Sequence, residues 1–286
     1  MHCTNIFVIG SGIIGSSVTA LLSVYRFPVT LYIHQTPLET IQRNITYHIS
    51  KIIQKQKLSS SIEEVLARIT YVSNTPSYTF DFIFEAVSEN LALKKQIIQQ
   101  FSTIANETSI WASSTSSLSI TDMSTIYLWP ERFIGLHFFN PVAVMELVEI
   151  IPSMLTSSYT IQETFEFAQK LNKHPIRVED SPGFIVNRLL IPLINEAVTL
   201  LENGVATPQE IDQAMQYGAH HPMGPLALAD LIGNDICLSI METLYQTTCD
   251  SKYRPSYLLR KMVSAKKLGR KTGEGFYKYP HHEKNP

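Results

Sequence analysis

Two side chains able to exchange a proton stand in the stretch GLHFFNPVAVMELVEII, His137 and Glu149. His137 lies near the end of one β-branched and aromatic run, 132–138, and Glu149 lies within the next, 145–151. If the two runs form a hairpin, both residues are equidistant from residue 143, inside the connecting segment Pro141–Val144. Their side chains then face each other. A carboxylate beside an imidazole fixes the tautomer and favours the imidazolium, which is what a general acid/base needs. Such a pair also serves as a plain structural ion pair at a strand end, and the two residues alone leave both readings open.

A second constellation is GSGIIG, Gly10–Gly15. Gly10 is expected to make the tight turn off a strand, Gly12 to let backbone approach a pyrophosphate, and Gly15 to let a helix pack close to the strand. With Ile13 and Ile14 between them, these glycines open a helix whose free N–H groups face the phosphates. The motif is weak alone; between a strand at Asn5–Ile9 and a helix at Gly12–Tyr25 it has the context that dinucleotide binding requires. The following strand, Val29–Ile33, runs out through VTLYIHQTP. Such units usually carry an aspartate or glutamate there, on the adenosine ribose. This chain has Tyr32, Ile33, His34, Gln35 and Thr36, and no Lys or Arg between Arg26 and Arg43.

The loop SSTSSLSIT, Ser113–Thr121, follows a strand at the edge of the sheet where open α/β folds bind ligands. Its hydroxyls could orient a substrate oxygen or be ordinary loop residues. In DSPGFIVNRLLIPLINEA, Asn187 is expected one to two turns into a helix, either facing the reaction site or satisfying neighbouring backbone.

The elements that must position these groups alternate strand and helix up to about residue 180. Helical periodicity covers 41–58, 60–68 and 91–104, and strands are expected at 80–85 and 110–112. From Ser181 the texture turns helical, with Ser181 as an N-cap, Pro182 at the first helical position and helices at roughly 183–202, 208–217, 225–247 and 256–265. The expected fold is α/β: a Rossmann-like, mostly parallel sheet domain over 1–180, followed by an all-helical domain over 181–286.

Composition bounds the function classes. The 286 residues are 44% hydrophobic and 17% charged, enough for a sizeable core. A net charge of −2 gives no general attraction to nucleic acid or acidic membranes. No basic residue precedes Arg26, and glycines interrupt the apolar start, so neither a secretory signal nor a membrane span is expected. Cys3, Cys237 and Cys249 form no C-x-x-C pair. They read as free thiols in a reducing cytoplasm, and no metal site is expected.

Taken together, GSGIIG, EAVSENLALKKQ, TSSLSIT, RFIGLHFFNPVAVMELVEII, SPGFIVNRLLIPLINEA, HPMGPLALADLIGNDIC and GRKTGEGFYKY resemble the L-3-hydroxyacyl-CoA dehydrogenases, especially the bacterial 3-hydroxybutyryl-CoA dehydrogenases. The resemblance spans nearly the whole chain. It implies a nicotinamide oxidoreductase interconverting a 3-hydroxyacyl-CoA and a 3-oxoacyl-CoA, dimeric through its helical domain. It places the catalytic histidine at His137, its partner at Glu149, and the groups on the substrate's 3-oxygen at Ser116 and Asn187. Contacts to the nicotinamide half fall on Glu89, Lys94, Asn140 and Lys271, and the CoA phosphates fall on Lys51 and Lys55. Periodicity alone would leave those two lysines on a solvated helix face.

Two positions depart from the family pattern. Ile33 stands where the ribose-binding acid is expected, and Ser114 replaces an asparagine near the nicotinamide. Both touch the cofactor and neither touches the acid/base pair. NAD is therefore the expected cofactor, with NADP admitted. The rival readings are a non-catalytic nucleotide-binding or structural relative, and a dehydrogenase of free hydroxyacids. The retained set Ser116, His137, Glu149 and Asn187 counts against the first, and the lysine-bearing helix against the second.

Overall fold

The structure, a computed structural model, describes residues 5–280. Cys3 lies outside the described residues. The chain divides into two compact units, Met1–Ser181 and Pro182–Pro286. The sequence reading puts this boundary between Asp180 and Ser181.

In the first unit the order is β1 (Ile6–Ile9), α1 (Ile13–Val24), β2 (Val29–Tyr32), α2 (Leu38–Gln56), α3 (Ile62–Leu66), β3 (Ile69–Val72), β4 (Phe82–Glu85), α4 (Leu91–Gln100), β5 (Ile110–Ser113), α5 (Ile120–Ser124), β6 (Phe133–Phe138), β7 (Leu147–Pro152), α6 (Ser158–Lys170) and β8 (His174–Arg177). They build one eight-stranded sheet in the order β3-β2-β1-β4-β5-β6-β7-β8. The strands from β3 to β6 along that row run parallel, β7 pairs antiparallel with β6, and β8 follows β7 in parallel. The central strands IFVI and FIFE are buried at every position, as strands covered on both faces must be. On α2, Ile41, Ile45, Ile49 and Ile52 form a fully buried stripe at helical spacing.

The sequence reading omits β3, β8, α5 and α6. Both missed strands are sheet edges: ITYV has one fully buried residue and HPIR none, so neither shows the apolar run of a central strand. For α6 a signal was present, the Ser157 side chain accepting from the Thr160 N–H at its start.

The second unit is helical: α7 (Val186–Glu202), α8 (Pro208–Ala219), α9 (Pro225–Ile232), α10 (Asn234–Thr248) and α11 (Tyr257–Ser264). Two expectations need correction here. The single helix at 225–247 is broken by Gly233, whose φ of 110° no α-helix allows. The helix read from Pro182 begins only at Val186, because Gly183 and Phe184 are left-handed at φ 72° and 52°. Ser181 is therefore not its N-cap, and Asn187 sits in the first turn.

Two buried carboxylates organise this unit. Asp230 of α9 is 1% exposed and accepts hydrogen bonds from the Phe276 and Tyr277 N–H groups (3.0 and 2.9 Å), the Tyr279 hydroxyl (3.0 Å) and the Asn234 amide (3.1 Å). Asp212 of α8 accepts from the Leu226 and Ala227 N–H groups and from the Tyr277 hydroxyl at 2.7 Å. Burial, then the Asp230 charge, push the Tyr279 hydroxyl up to about 12. A Cβ at Gly275 would meet the Asp230 carboxylate at 1.8 Å. The tail motif GRKTGEGFYKY is thus a wrap around Asp230.

Among the described residues, no helix is long and apolar enough to cross a membrane, and no group of three or more His, Cys, Asp or Glu side chains forms a metal cluster.

Candidate active site

The β6–β7 register sets His137 opposite Glu149. His137 Nδ1 lies 2.7 Å from Glu149 Oε2, with the residues 5% and 1% exposed. Committing Nδ1 to the carboxylate assigns proton transfer to Nε2. The Phe139 ring packs tilted against the imidazole, centroids 4.6 Å apart.

The serine-rich loop between β5 and α5 is held at both ends by carboxylates. One Glu89 oxygen accepts from the Thr115 hydroxyl (2.8 Å), the Ser116 N–H (2.9 Å), the Ser117 N–H (3.0 Å) and the Ser117 hydroxyl (3.1 Å). At the far end Asp180 accepts from the Ser119 hydroxyl and the Ile120 and Thr121 N–H groups. Ser116 is thereby fixed through its own backbone. Ser114 donates its N–H to the Glu85 carbonyl.

Behind Glu89 sits a buried ion pair. Lys94 and Glu85 are both 0% exposed, 2.7 Å apart. Glu85 also accepts from the Val87 N–H and the Ser113 hydroxyl, each at 2.7 Å, and Lys94 reaches the Val87 carbonyl. The resemblance implies that Lys94 contacts the nicotinamide; in this structure its side chain is wholly buried. Its ammonium is held by Glu85 and the Val87 carbonyl and lies 3.8 Å from Glu89.

At the C-terminal edge of the sheet, beside the same Ala86–Ser88 segment, lies a cavity of about 410 Å³ lined by Gly10, Ser11, Gly12, Tyr32, His34 and Thr36, among others. The three glycines do different work. A Cβ at Gly15 would stand 1.8 Å from the Gly10 carbonyl, and one at Gly10 2.5 Å from the Ala86 carbonyl, so the protein's own packing requires both. A Cβ at Gly12 would meet no protein atom within 4 Å. Its bareness keeps backbone open toward the space before α1, which fits a dinucleotide pyrophosphate. Ile13, on the first turn of α1, is 67% exposed, whereas Ile14 packs against the core.

Ile33 is not part of this lining. Its side chain packs against the apolar core while Tyr32 and His34, their rings stacked, line the cavity. The lining contains no Asp, Glu, Lys or Arg. From the end of β2 and the loop after it, Tyr32, His34, Gln35 and Thr36 reach the cavity wall.

The two lysines assigned to CoA phosphates behave differently. Both are exposed on α2, and Lys51 lies over the Tyr47 ring, 5.5 Å from its centroid. Lys55 donates to the Val144 carbonyl in the connector between β6 and β7, an engagement that spacing alone gave no sign of. Asn140 is exposed at the start of that connector. In the helical unit, Lys271 pairs with Asp235 at 2.6 Å.

The family model for "3-hydroxyacyl-CoA dehydrogenase, NAD binding domain" matches residues 5–181, and that for the "3-hydroxyacyl-CoA dehydrogenase, C-terminal domain" matches 183–279. The chain belongs to the 3-hydroxyacyl-CoA dehydrogenase family. Among members of the family, it is 44% identical over 276 residues to the probable 3-hydroxybutyryl-CoA dehydrogenase of Deinococcus radiodurans, covering 95% of this chain and 99% of the relative. It is 38% identical over 286 residues to the human mitochondrial hydroxyacyl-coenzyme A dehydrogenase, covering 96% of this chain and 91% of the relative. The crystal structure of (S)-3-hydroxybutyryl-CoA dehydrogenase from Ralstonia eutropha is similar at TM-score 0.90 and 41% identity, covering 97% of this chain and 99% of that one.

Proposed function

We propose that this 3-hydroxyacyl-CoA dehydrogenase interconverts (S)-3-hydroxybutyryl-CoA and acetoacetyl-CoA with NAD(H) as the favoured cofactor, in the cytoplasm. The observation that carries the reading is the buried His137–Glu149 pair, in a chain similar over its full length to relatives named for that reaction. In oxidation, His137 Nε2 takes the hydroxyl proton, and Glu149 stabilises the imidazolium that results. In reduction, the same imidazolium protonates the forming alkoxide. Ser116 and Asn187 hold the substrate's oxygen, and Glu89, Asn140, Ser114 and Lys271 shape the nicotinamide side. The bound nicotinamide dinucleotide supplies the hydride donor or acceptor. A homodimer through the helical unit is part of the same reading, supported by the exposed apolar side chains Leu189, Val205 and Tyr217.

The test is the reduced-nicotinamide absorbance on addition of acetoacetyl-CoA, with free acetoacetate as control. A fall with the thioester alone is expected; no fall with either compound would leave a nucleotide-binding relative.

The cavity wall makes a prediction about cofactor choice. With neither an acid to repel a 2′-phosphate nor a base to hold one, the kcat/KM ratio of NADH to NADPH is expected to lie within about tenfold of unity. His34→Asp puts a carboxylate on the wall. It is expected to improve KM for NADH by about tenfold or more, the scale of one charged hydrogen bond of about 1.5–3 kcal/mol. Ile33→Asp instead drives a carboxylate toward the core and lowers Tm. A wild-type NADPH preference that grows from about pH 8 to about pH 6 would make His34 a phosphate site and overturn the choice of NAD.

The CoA assignment is tested at Lys51, because Lys55 has a second duty at Val144. Lys51→Ala is expected to raise KM for the thioester by about threefold to tenfold, roughly 0.7–1.4 kcal/mol, and to weaken its salt dependence, with kcat unchanged. An unaltered KM returns Lys51 to the solvated helix face.

A further inference from the structure

The connector between β6 and β7 poses a hydrogen-bonding problem that its own backbone does not solve. The Val142, Val144 and Met145 carbonyls need donors, yet the Val144 and Met145 N–H groups are both spent on the Pro141 carbonyl, each at 2.9 Å. Pro141 has no N–H to offer. The start of β8 supplies what is missing. Lys173, 6% exposed, donates its ammonium to the Val142 carbonyl at 2.6 Å and the Met145 carbonyl at 2.8 Å. Lys55 arrives from α2 at the Val144 carbonyl. The neighbouring His174 N–H takes the Glu146 carbonyl at 2.8 Å.

We propose that Lys173 is a positioning residue for the acid/base pair: by gathering the connector's carbonyls it fixes the β6–β7 register that sets His137 against Glu149. The connector begins two residues after His137 and ends three before Glu149. In a hairpin the turn sets the register, and a slip of one residue would send His137 to the opposite face of the sheet. A buried aliphatic side chain at 173 would fill the space but leave two carbonyls unpaired.

The clasp also carries a titration. Burial holds the Lys173 ammonium down at about 8, with the Lys55 charge pushing the same way and Glu146 opposing. Glu146 is itself shared with His174 at 3.7 Å. Losing that proton removes the charge from both hydrogen bonds and weakens them. The effect separates from His137 in the oxidative direction, where the base form of His137 is the working form and a falling alkaline limb has another source.

This inference rests on the assignment of His137 as the acid/base. Lys173→Met is expected to lower oxidative kcat by about tenfold to a hundredfold, the scale of a small misplacement of a catalytic group. KM for the thioester should change by less than about threefold. The wild type should show an oxidative limb falling above about pH 8 that the variant lacks. Hydrogen exchange of the 142–147 amides in the wild-type protein gives a readout independent of substrate and of the variant's folding. Their protection, corrected for intrinsic base catalysis, should drop between about pH 7 and about pH 9. A folded Lys173→Met enzyme within about twofold of wild-type kcat, or protection that does not change over that range, overturns the clasp. Absence of dehydrogenase turnover in the wild type would instead overturn the function, and the exchange measurement would still decide the clasp.

Discussion

His137→Ala is expected to lower kcat by about two to four orders of magnitude, the range for losing a positioned acid/base. The loss should fall on kcat in both directions while KM for the thioester stays near its wild-type value, because the imidazole acts on the reacting proton. The variant also leaves the Glu149 carboxylate, 1% exposed, without the imidazole it faces at 2.7 Å. Some fall in Tm therefore accompanies it. His137→Asn separates the two effects, since its amide nitrogen takes the place of Nδ1 and can still donate to Glu149 but cannot shuttle a proton. Its kcat should be as low as the alanine variant's with most of the Tm restored. Glu149→Gln should lower kcat by a smaller factor and move the pH profile, because the neutral amide no longer stabilises imidazolium. Steady-state rates with acetoacetyl-CoA and circular dichroism are sufficient measurements. A His137→Ala enzyme within about threefold of wild type would falsify the assignment.

Lys94→Met carries the second large effect, and it is one of stability. Removing one partner from a buried ion pair costs about 3–5 kcal/mol, because the remaining charge has no water to turn to. Glu85 keeps its hydrogen bonds from Val87 and Ser113 but loses the ammonium at 2.7 Å. For a unit of this size the cost corresponds to a Tm lower by about 6–20 °C. Adding Glu85→Gln to Lys94→Met should recover part of the loss, the coupling expected of neighbours. A direct nicotinamide contact predicts the opposite pattern, a raised KM for NADH at unchanged Tm. That outcome would favour the contact that the family resemblance implies.

The contrast between these two residues shows what a sequence exposes. His137 and Glu149 were legible as a pair because antiparallel pairing is symmetric about the connector, so two short runs specify the partner. The Gly10–Gly15 loop was legible because turn, phosphate approach and helix packing each demand glycine at a fixed spacing. Lys94 was legible only in part. In LALKKQIIQQ it resembles any helix lysine, although it shares the buried face of Ile98, one turn on. Periodicity would have exposed that burial but not the carboxylate waiting there. The reach of Glu89 to residues 115–117 and of Lys173 to 142–145 joins segments remote in sequence, and no local pattern encodes which backbone groups will lack partners. The edge strands β3 and β8 stayed hidden because half-covered strands lack the continuous apolar signature. The break at Gly233 was a matter of weight, since a single glycine inside a periodic stretch is often tolerated.

The Asp230 wrap gives the helical unit a direction in time. Its carboxylate stands in the middle of that unit's sequence, but three of its donors, at Phe276, Tyr277 and Tyr279, are translated 46 to 49 residues later. The sheet unit has its whole sequence in hand about a hundred residues earlier and is free to fold as it emerges. Until those residues are made, the Asp230 carboxylate has the Asn234 amide but lacks its other three donors. A message truncated just before codon 276 would therefore yield a finished nucleotide-binding half joined to a helical half that never closes.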